Sequence, residues 1–278
     1  MIEVKEGCAV TDKRETLARI TYQRLFRRYL RLAGMTGTAA EVAPELDAVY
    51  GLGGVRIPTA RPMRRKNDGA RLYATTAEKW DAVARVAREM SAAGRPVLIG
   101  TRSVAASEAL SARCAAEGIE HVVLNARQDE DEARKIEQAG AHGRVTVATN
   151  MAGRGTDIRI DPDVEARGGL HVILTEYHET ARIDRQLFGR CGRQGDRGSF
   201  EAIVSLEDDI FRNHARTAVA WLAARDMTHG TPLASWRAAT LRRLAQAHAE
   251  RVNGRSRRAT LEHDRQLDTA LAFAERGE

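Results

Sequence analysis

From residue 78 onward, hydrophobic positions fall into short apolar runs separated by longer segments with helical spacing. The first helical segment spans 78–93 and stops at Gly94, and the apolar run 97–100 is bounded by Pro96 and Thr101. A helix over 105–117 ends at Gly118, a strand covers 120–124, a helix covers 129–139, and a strand covers 144–148. A strand at 170–175, a helix at 179–188 and a strand at 200–206 complete the series. Strands alternating with helices of this length predict right-handed crossovers and a parallel sheet with flanking helices, an α/β fold. Residues 12–31 carry Leu17, Ile20, Leu25 and Tyr29 at rough helical spacing. The proline- and charge-rich stretch 58–69 reads as a linker. Beyond Phe211 the chain is rich in alanine and arginine without a strand-like run. Two or three helices are expected there, broken at Gly230-Thr231-Pro232 and at Asn253-Gly254.

Composition narrows the classes. With 278 residues, 43% of them hydrophobic and 29% charged, the chain can bury a sizeable core in more than one unit. No run approaches the roughly 20 apolar residues of a membrane span, and the N-terminal residues lack a signal-peptide apolar core, so a cytoplasmic protein is expected. Cys8, Cys114 and Cys191 are odd in number and scattered, against a disulfide framework or zinc cluster. A net charge of +6 favours acidic partners such as nucleotide, anionic lipid or nucleic acid. Aromatic content of 5%, with no basic stretch interleaved with aromatics, counts against a base-stacking platform.

Candidate chemistry concentrates in two glycine-rich segments. Residues 186–196 place Arg190 and Arg193 three apart among glycines, and a guanidinium bridges phosphate oxygens while staying charged. Residues 149–158 follow an apolar strand, and ligands of open α/β sheets bind at the carboxyl ends of strands. Within that segment, Asp157 can either accept from a ribose hydroxyl or orient Arg193, and Arg154 is a candidate phosphate or interdomain contact. His178 reads as a buried, hydrogen-bonded histidine. Glu207, Asp208 and Asp209 read as a helix N-terminal turn rather than a metal site.

These segments, together with Leu-Ala-Gly-Met-Thr-Gly-Thr at 32–38, Pro-Thr-Ala-Arg-Pro-Met at 58–63 and Gly-Gly-Leu-His-Val-Ile at 168–173, resemble the late motor motifs of SecA. SecA is the ATP-driven preprotein translocase family of bacteria, a branch of the superfamily 2 helicase-like motors. The resemblance covers about residues 1–212 and is weaker beyond. It implies a remnant of a first nucleotide-binding fold at 1–60, a RecA-like (P-loop NTPase type) second motor domain at 61–212, and a fragment of a helical scaffold at 213–278. By the same resemblance Arg193 matches the γ-phosphate arginine finger and Arg190 its companion. Gly153, Arg154, Gly155, Thr156 and Asp157 match the nucleotide-sensing segment, Gln186 the opening of the arginine motif, and Asp196 an acidic residue near nucleotide and metal. Phe188 departs from the family's usual arginine, and Cys191 stands where serine is common. No Gly-Lys-Thr or Gly-Lys-Ser occurs in the 278 residues, so ATP and Mg²⁺ are expected to be held mainly by a half carrying the phosphate loop, and this chain alone is expected to be a poor ATPase. The implied partners are that N-terminal half or a full-length motor, the Sec translocon channel, preprotein substrates and anionic lipid, with nucleic acid disfavoured. The implied location is peripheral, on the inner face of the plasma membrane. A nucleic-acid helicase half-motor and a catalytically inert binding module remain as alternatives.

Overall fold

The computed structural model describes residues 20–124, 134–149, 156–223 and 230–274. The chain divides into two compact units, Val55–Arg255 and Met1–Gly54 with Ser256–Glu278. The expected helix over 129–139 lies partly outside the described residues, as do Leu17 and Cys8.

Within 55–255 six strands form one parallel sheet. They are β1 (Arg64–Tyr73), β2 (Val97–Thr101), β3 (His121–Leu124), β4 (Val145–Thr149), β5 (Leu170–Leu174) and β6 (Arg197–Ser205), in the order β1-β6-β5-β2-β4-β3. Helices α3 (Thr76–Ala92) and α4 (Val104–Ala116) follow β1 and β2, α5 (Pro162–Ala166) precedes β5, and α6 (Ala181–Phe188) joins β5 to β6. After β6 come α7 (Asp209–His214), α8 (Arg216–Ala223) and the 40-residue α9 (Ser235–Ala274). The parallel sheet with flanking helices is the one that the alternation implied, and it is the RecA-like fold that the resemblance implied.

Pleating sorts the strand residues between two cores. Val97, Ile99, Val145, Val147, Ile173 and Ile203 pack with Ala82, Val83 and Leu110 of α3 and α4. Leu98, Ala148, Val172, Leu174, Ala202 and Val204 pack with Leu187 and Phe188 of α6, Phe211 of α7, and Ala238, Leu241, Ala245 and Ala249 of α9. Both faces of a parallel sheet must be covered, and here residues beyond 212 supply much of the second cover.

Local chemistry sets the helix starts. Thr75 caps α3 in a full capping box: its side chain accepts from the Glu78 amide, and Glu78 accepts in return from the Thr75 amide. The helix therefore opens two residues earlier than apolar spacing suggested. Ser103 caps α4 by accepting from Ala106 N at 3.1 Å.

Three expectations are corrected. The stretch 58–69 is not all linker, because β1 begins at Arg64. This strand lies at the sheet rim, buries only Leu72 and Tyr73, and pairs with β6 through an irregularity between Asn67 and Ala70. Its polar, solvated sequence therefore shows no period-two pattern. The short helix α5, opened by Pro162, carried too little apolar signal to be expected. The break foreseen at Asn253-Gly254 does not occur, since α9 runs through it. One glycine costs a helix only about 1 kcal/mol relative to alanine, which the surrounding helix formers absorb.

The other unit contains α1 (Tyr22–Phe26), capped by Thr21, and α2 (Ala43–Tyr50), closed by Gly51 in the left-handed region. The rings of Tyr22, Phe26 and Tyr29 stack in series. In the α9 residues of this unit Arg257 makes a two-pronged bond to Glu45 at 2.8 and 3.0 Å, and Asp264 accepts from the Thr21 hydroxyl.

One ion pair is fully enclosed in the sheet unit. Lys79 Nζ lies 2.6 Å from Asp208 Oδ1, and the two residues are 3% and 5% exposed. Asp208 also accepts from Ser205 N at 2.9 Å and Ser205 Oγ at 2.8 Å. Burial raises the Asp208 carboxyl pKa above its ordinary value, with Lys79 acting in the opposite direction. Breaking such a pair costs about 3–5 kcal/mol, more than removing both charges. Lys79→Met is therefore expected to lose that much stability in urea unfolding, and adding Asp208→Asn, which still accepts from the Ser205 amide, to recover most of it. A raised carboxyl pKa means that the folded state binds the extra proton, so Lys79→Met should gain stability as pH falls from 7 to 5. A double variant no better than the single one would contradict this.

Candidate functional site

The chain leaves α6 at Gly189 and turns through residues 189–196 before entering β6. Because α6 runs back along the sheet from the end of β5, this turn sits at the amino ends of β6 and β1. A Cβ built on Gly192 would lie 2.9 Å from Arg65 Cβ at the start of β1. The arginine segment is thus at the opposite end of the sheet from the carboxyl ends of the strands, the place assigned from the sequence to residues 149–158 alone. The reason is directional: a crossover helix delivers its C-terminus to the opposite edge.

The turn is tightly wound. Gly192 and Gly195 have φ of +61° and +85°, and Gln194 between them adopts φ +54°, a conformation side chains seldom take. A Cβ on Gly195 would stand 3.0 Å from Arg61 Cβ, and Arg61 Nη1 donates to Gln194 O at 3.2 Å. The Asp196 amide closes the turn on Arg193 O at 2.8 Å.

Arg193 is set by two bonds. Its Nε donates to Gly189 O at 3.1 Å and its Nη1 to Asp157 Oδ1 at 2.6 Å. Of the two roles open to Asp157, orienting Arg193 is the one the geometry contains. Arg193 and Asp157 side chains are 37% and 62% exposed, so the pair contributes at most about 1 kcal/mol. The carboxylate fixes the direction of the guanidinium at little cost to stability if the pair is parted.

Of the other sequence candidates, Arg190 and Asp196 share the turn with Arg193 and are half-buried, Thr156 is half-buried beside Asp157, and Gln186 is exposed on α6. Gly153, Arg154 and Gly155 lie outside the described residues. His178 is buried, with Nδ1 at 2.7 Å from Asp184 Oδ1, as expected of a hydrogen-bonded core histidine. The acidic run is also structural: Asp208 is the residue preceding α7, and Glu207 accepts from Thr76 N at 2.7 Å, a bond that holds its carboxyl below the ordinary value. Among the described residues no group of three or more His, Cys, Asp or Glu is placed to hold a metal.

Two substituted positions anchor the turn. Phe188 stacks on Phe200 with centroids 4.3 Å apart, so an aromatic contact within the core stands where the family pattern has arginine. Cys191 is 1% exposed, and its Sγ lies 3.3 Å from Phe188 O and 3.4 Å from Ser199 O. The residues that sequence reasoning missed are Arg61 and Arg65, hidden in the stretch read as linker. Arg61 had a signal in the Pro58–Met63 motif, which carried the resemblance without a role, and Arg65, just beyond it, had none.

Burial pushes the Cys191 thiol up to about 11, against the pull of Arg65, Arg95 and Arg193. At pH 8 its thiolate is then scarcer than that of a free cysteine by about a hundredfold. Peptide-resolved iodoacetamide labelling should show Cys191 at least that much slower in the folded chain than in urea. Equal rates in the two states would refute its enclosure.

A family model of the SecA P-loop domain matches residues 62–167 and 159–229, more than half of the chain, and a model of the SecA DEAD-like domain matches 2–47. Protein translocase subunit SecA 2 of Nitrosospira multiformis is 59% identical over 281 residues, which take in 100% of this chain and 42% of that protein. Protein translocase subunit SecA 3 of Magnetococcus marinus is 50% identical, over 98% of this chain and 42% of its own. This chain therefore spans about two fifths of the length of these relatives. Among solved structures, E. coli DEAD-box protein SrmB bound to RraA aligns with 55% of this chain and 83% of its own at 17% identity and a TM-score of 0.43, and the sheet order described above, not that alignment, carries the fold. On the strength of the family models, the chain belongs to the SecA family of protein translocase subunits.

Proposed function

We propose that this chain is the C-terminal part of a SecA-type motor that hydrolyses ATP to drive preproteins through the Sec channel. In this reading residues 1–60 close a first nucleotide-binding fold, 61–212 form the second motor domain, and 213–278 begin the helical scaffold. ATP sits against the arginine turn, and a second polypeptide or segment with the phosphate loop supplies the opposite wall. The observation that carries the reading is the Arg193–Asp157 pair: a directed, weakly held, partly exposed guanidinium on a glycine turn fits a migrating phosphoryl group.

Arg193 would exchange Asp157 for γ-phosphate oxygens as the cleft closes and stabilise the charge that develops on transfer. Arg190 would contact phosphate from the same turn. Thr156, Asp157, Gln186 and Asp196 would line the nucleotide side, with Gly153, Arg154 and Gly155 beside them by sequence. Mg²⁺ would be held mainly by the phosphate-loop half and would neutralise phosphate charge there. No described helix is long and apolar enough to cross a membrane. In this reading the motor attaches from the cytoplasmic side, through the channel and anionic lipid.

The test is steady-state ATP hydrolysis by the chain with and without a polypeptide carrying the first nucleotide fold. Turnover is expected only in the mixture, and Arg193→Ala should lower kcat by about 10³-fold or more, the range for a finger arginine. Arg193→Lys should not restore it, because an ammonium lacks the planar fork. A silent mixture of folded partners would replace this reading with that of an inert binding module.

A further inference from the structure

The α9 face opposite the loop that leads into α6 is more specific than a packing contact requires. Gln246 is 6% exposed, and its Nε2 donates to His178 O at 2.9 Å and to Asp184 Oδ2 at 2.7 Å. Asp184 is 3% exposed, and its Oδ1 accepts from His178 N at 2.9 Å and from His178 Nδ1 at 2.7 Å. Along the same helix Arg242 lies 5.4 Å from the Tyr177 ring centroid, and Asn253 Nδ2 donates to Glu179 Oε2 at 2.6 Å. Positions 242, 246 and 253 are spaced i, i+4, i+11 and share one helix face. They grip three consecutive residues, 177–179, and the first turn of α6.

We infer that Gln246 is a positioning residue for the arginine turn. Asp184 lies in the first turn of α6, and the helix from there to Gly189 is only about 7 Å long at 1.5 Å per residue, so it moves as one body. Two further contacts fix its far end. Leu187 lies where a side chain on Gly100 would be, 2.3 Å from the nearest methyl carbon, and Phe188 stacks on Phe200. The Gln246–Asp184 bond holds the near end of this short body as Leu187 and Phe188 hold the far end, and the anchors together fix the rotation of α6 about its axis. That rotation aims Arg190 and Arg193. A partly buried ion pair or a backbone capping bond would tolerate drift, whereas a double donor with both acceptors buried does not, because each lost bond leaves an unsatisfied group.

The effect on hydrolysis rests on the proposed role of Arg193, but the effect on the rigidity of the turn does not, and the experiment separates the two. Gln246→Leu removes both donors at similar volume, and Gln246→Asn keeps an amide one methylene too short to reach both acceptors. Hydrogen exchange by mass spectrometry on the 278-residue chain is expected to run about tenfold faster over 189–196 in Gln246→Leu, with β2 and β4 unchanged and Gln246→Asn intermediate. In the ATP-hydrolysing mixture kcat should fall by roughly ten- to a hundredfold and by more than KM rises, as for a contact with the γ-phosphate that strengthens in the transition state. Unchanged exchange over 189–196, or acceleration shared equally by β2 and β4, overturns the inference. Should Gln246→Leu fail to fold, Gln246→Asn is judged by the same comparison. Should the wild-type mixture be silent, the phosphate role of Arg193 fails and the exchange result alone decides the role of Gln246.

Discussion

An open parallel sheet must be covered on both faces, and most of the architecture of this chain follows from how that cover is supplied. One face is closed by α3 and α4, whose apolar stripes are contributed between strands. The other is closed only in part by α6 and needs the alanine-rich stripe of α9. Alanine at 238, 245 and 249 packs α9 on the elements beneath it, where Gln246 reaches the main-chain oxygen of His178 and Asn253 the side chain of Glu179 in the loop before α6. The same need for cover therefore puts a long helix in hydrogen-bonding contact with the element that delivers the arginines.

The polar interactions divide by burial, and the division matches their proposed roles. Lys79–Asp208 and the His178–Asp184–Gln246 network are enclosed, hydrogen-bonded and costly to disturb, and they fix geometry. A third enclosed group, His171 with Ser199 and Glu201, ties β5 to β6. Burial opposes ionisation of Glu201, but hydrogen bonds from His171 and Arg71 outweigh it and hold its carboxyl below the ordinary value. Arg193–Asp157, by contrast, is partly exposed and worth little to stability, which suits the exchange of partners proposed for it.

Much of the fold was legible because buried strands and amphipathic helices write their period into the sequence. Strands β2, β4 and β5 were found within a residue or so, since each is apolar and bounded by turn residues. Strand β1 was not, because a rim strand with one neighbour keeps polar side chains and so resembles a linker. The uninterrupted α9 was missed for the opposite reason: Asn253-Gly254 is a strong local stop signal that tertiary contacts override, with Asn253 bonded to Glu179. At the candidate site, residue types and spacing singled out Arg193 and Asp157, and even their pairing was among the readings considered. What the sequence could not convey was location. That the turn lies at the amino ends of β1 and β6, clasped by Arg61 and Arg65, depends on α6 reversing direction and on a strand the pattern concealed. Gln246 was invisible too, since a lone glutamine in a polar helix has no sequence signal of burial.

The central claim is that Arg193 recognises the terminal phosphate of a bound triphosphate. Titration calorimetry of ATP and ADP into a mixture of the chain and a polypeptide carrying the phosphate loop, for wild type and Arg193→Ala, tests it most directly. An arginine that meets only the γ-phosphate predicts that the substitution weakens ATP by about tenfold or more while leaving ADP affinity nearly unchanged. Equal loss for both nucleotides, or no loss for either, contradicts it.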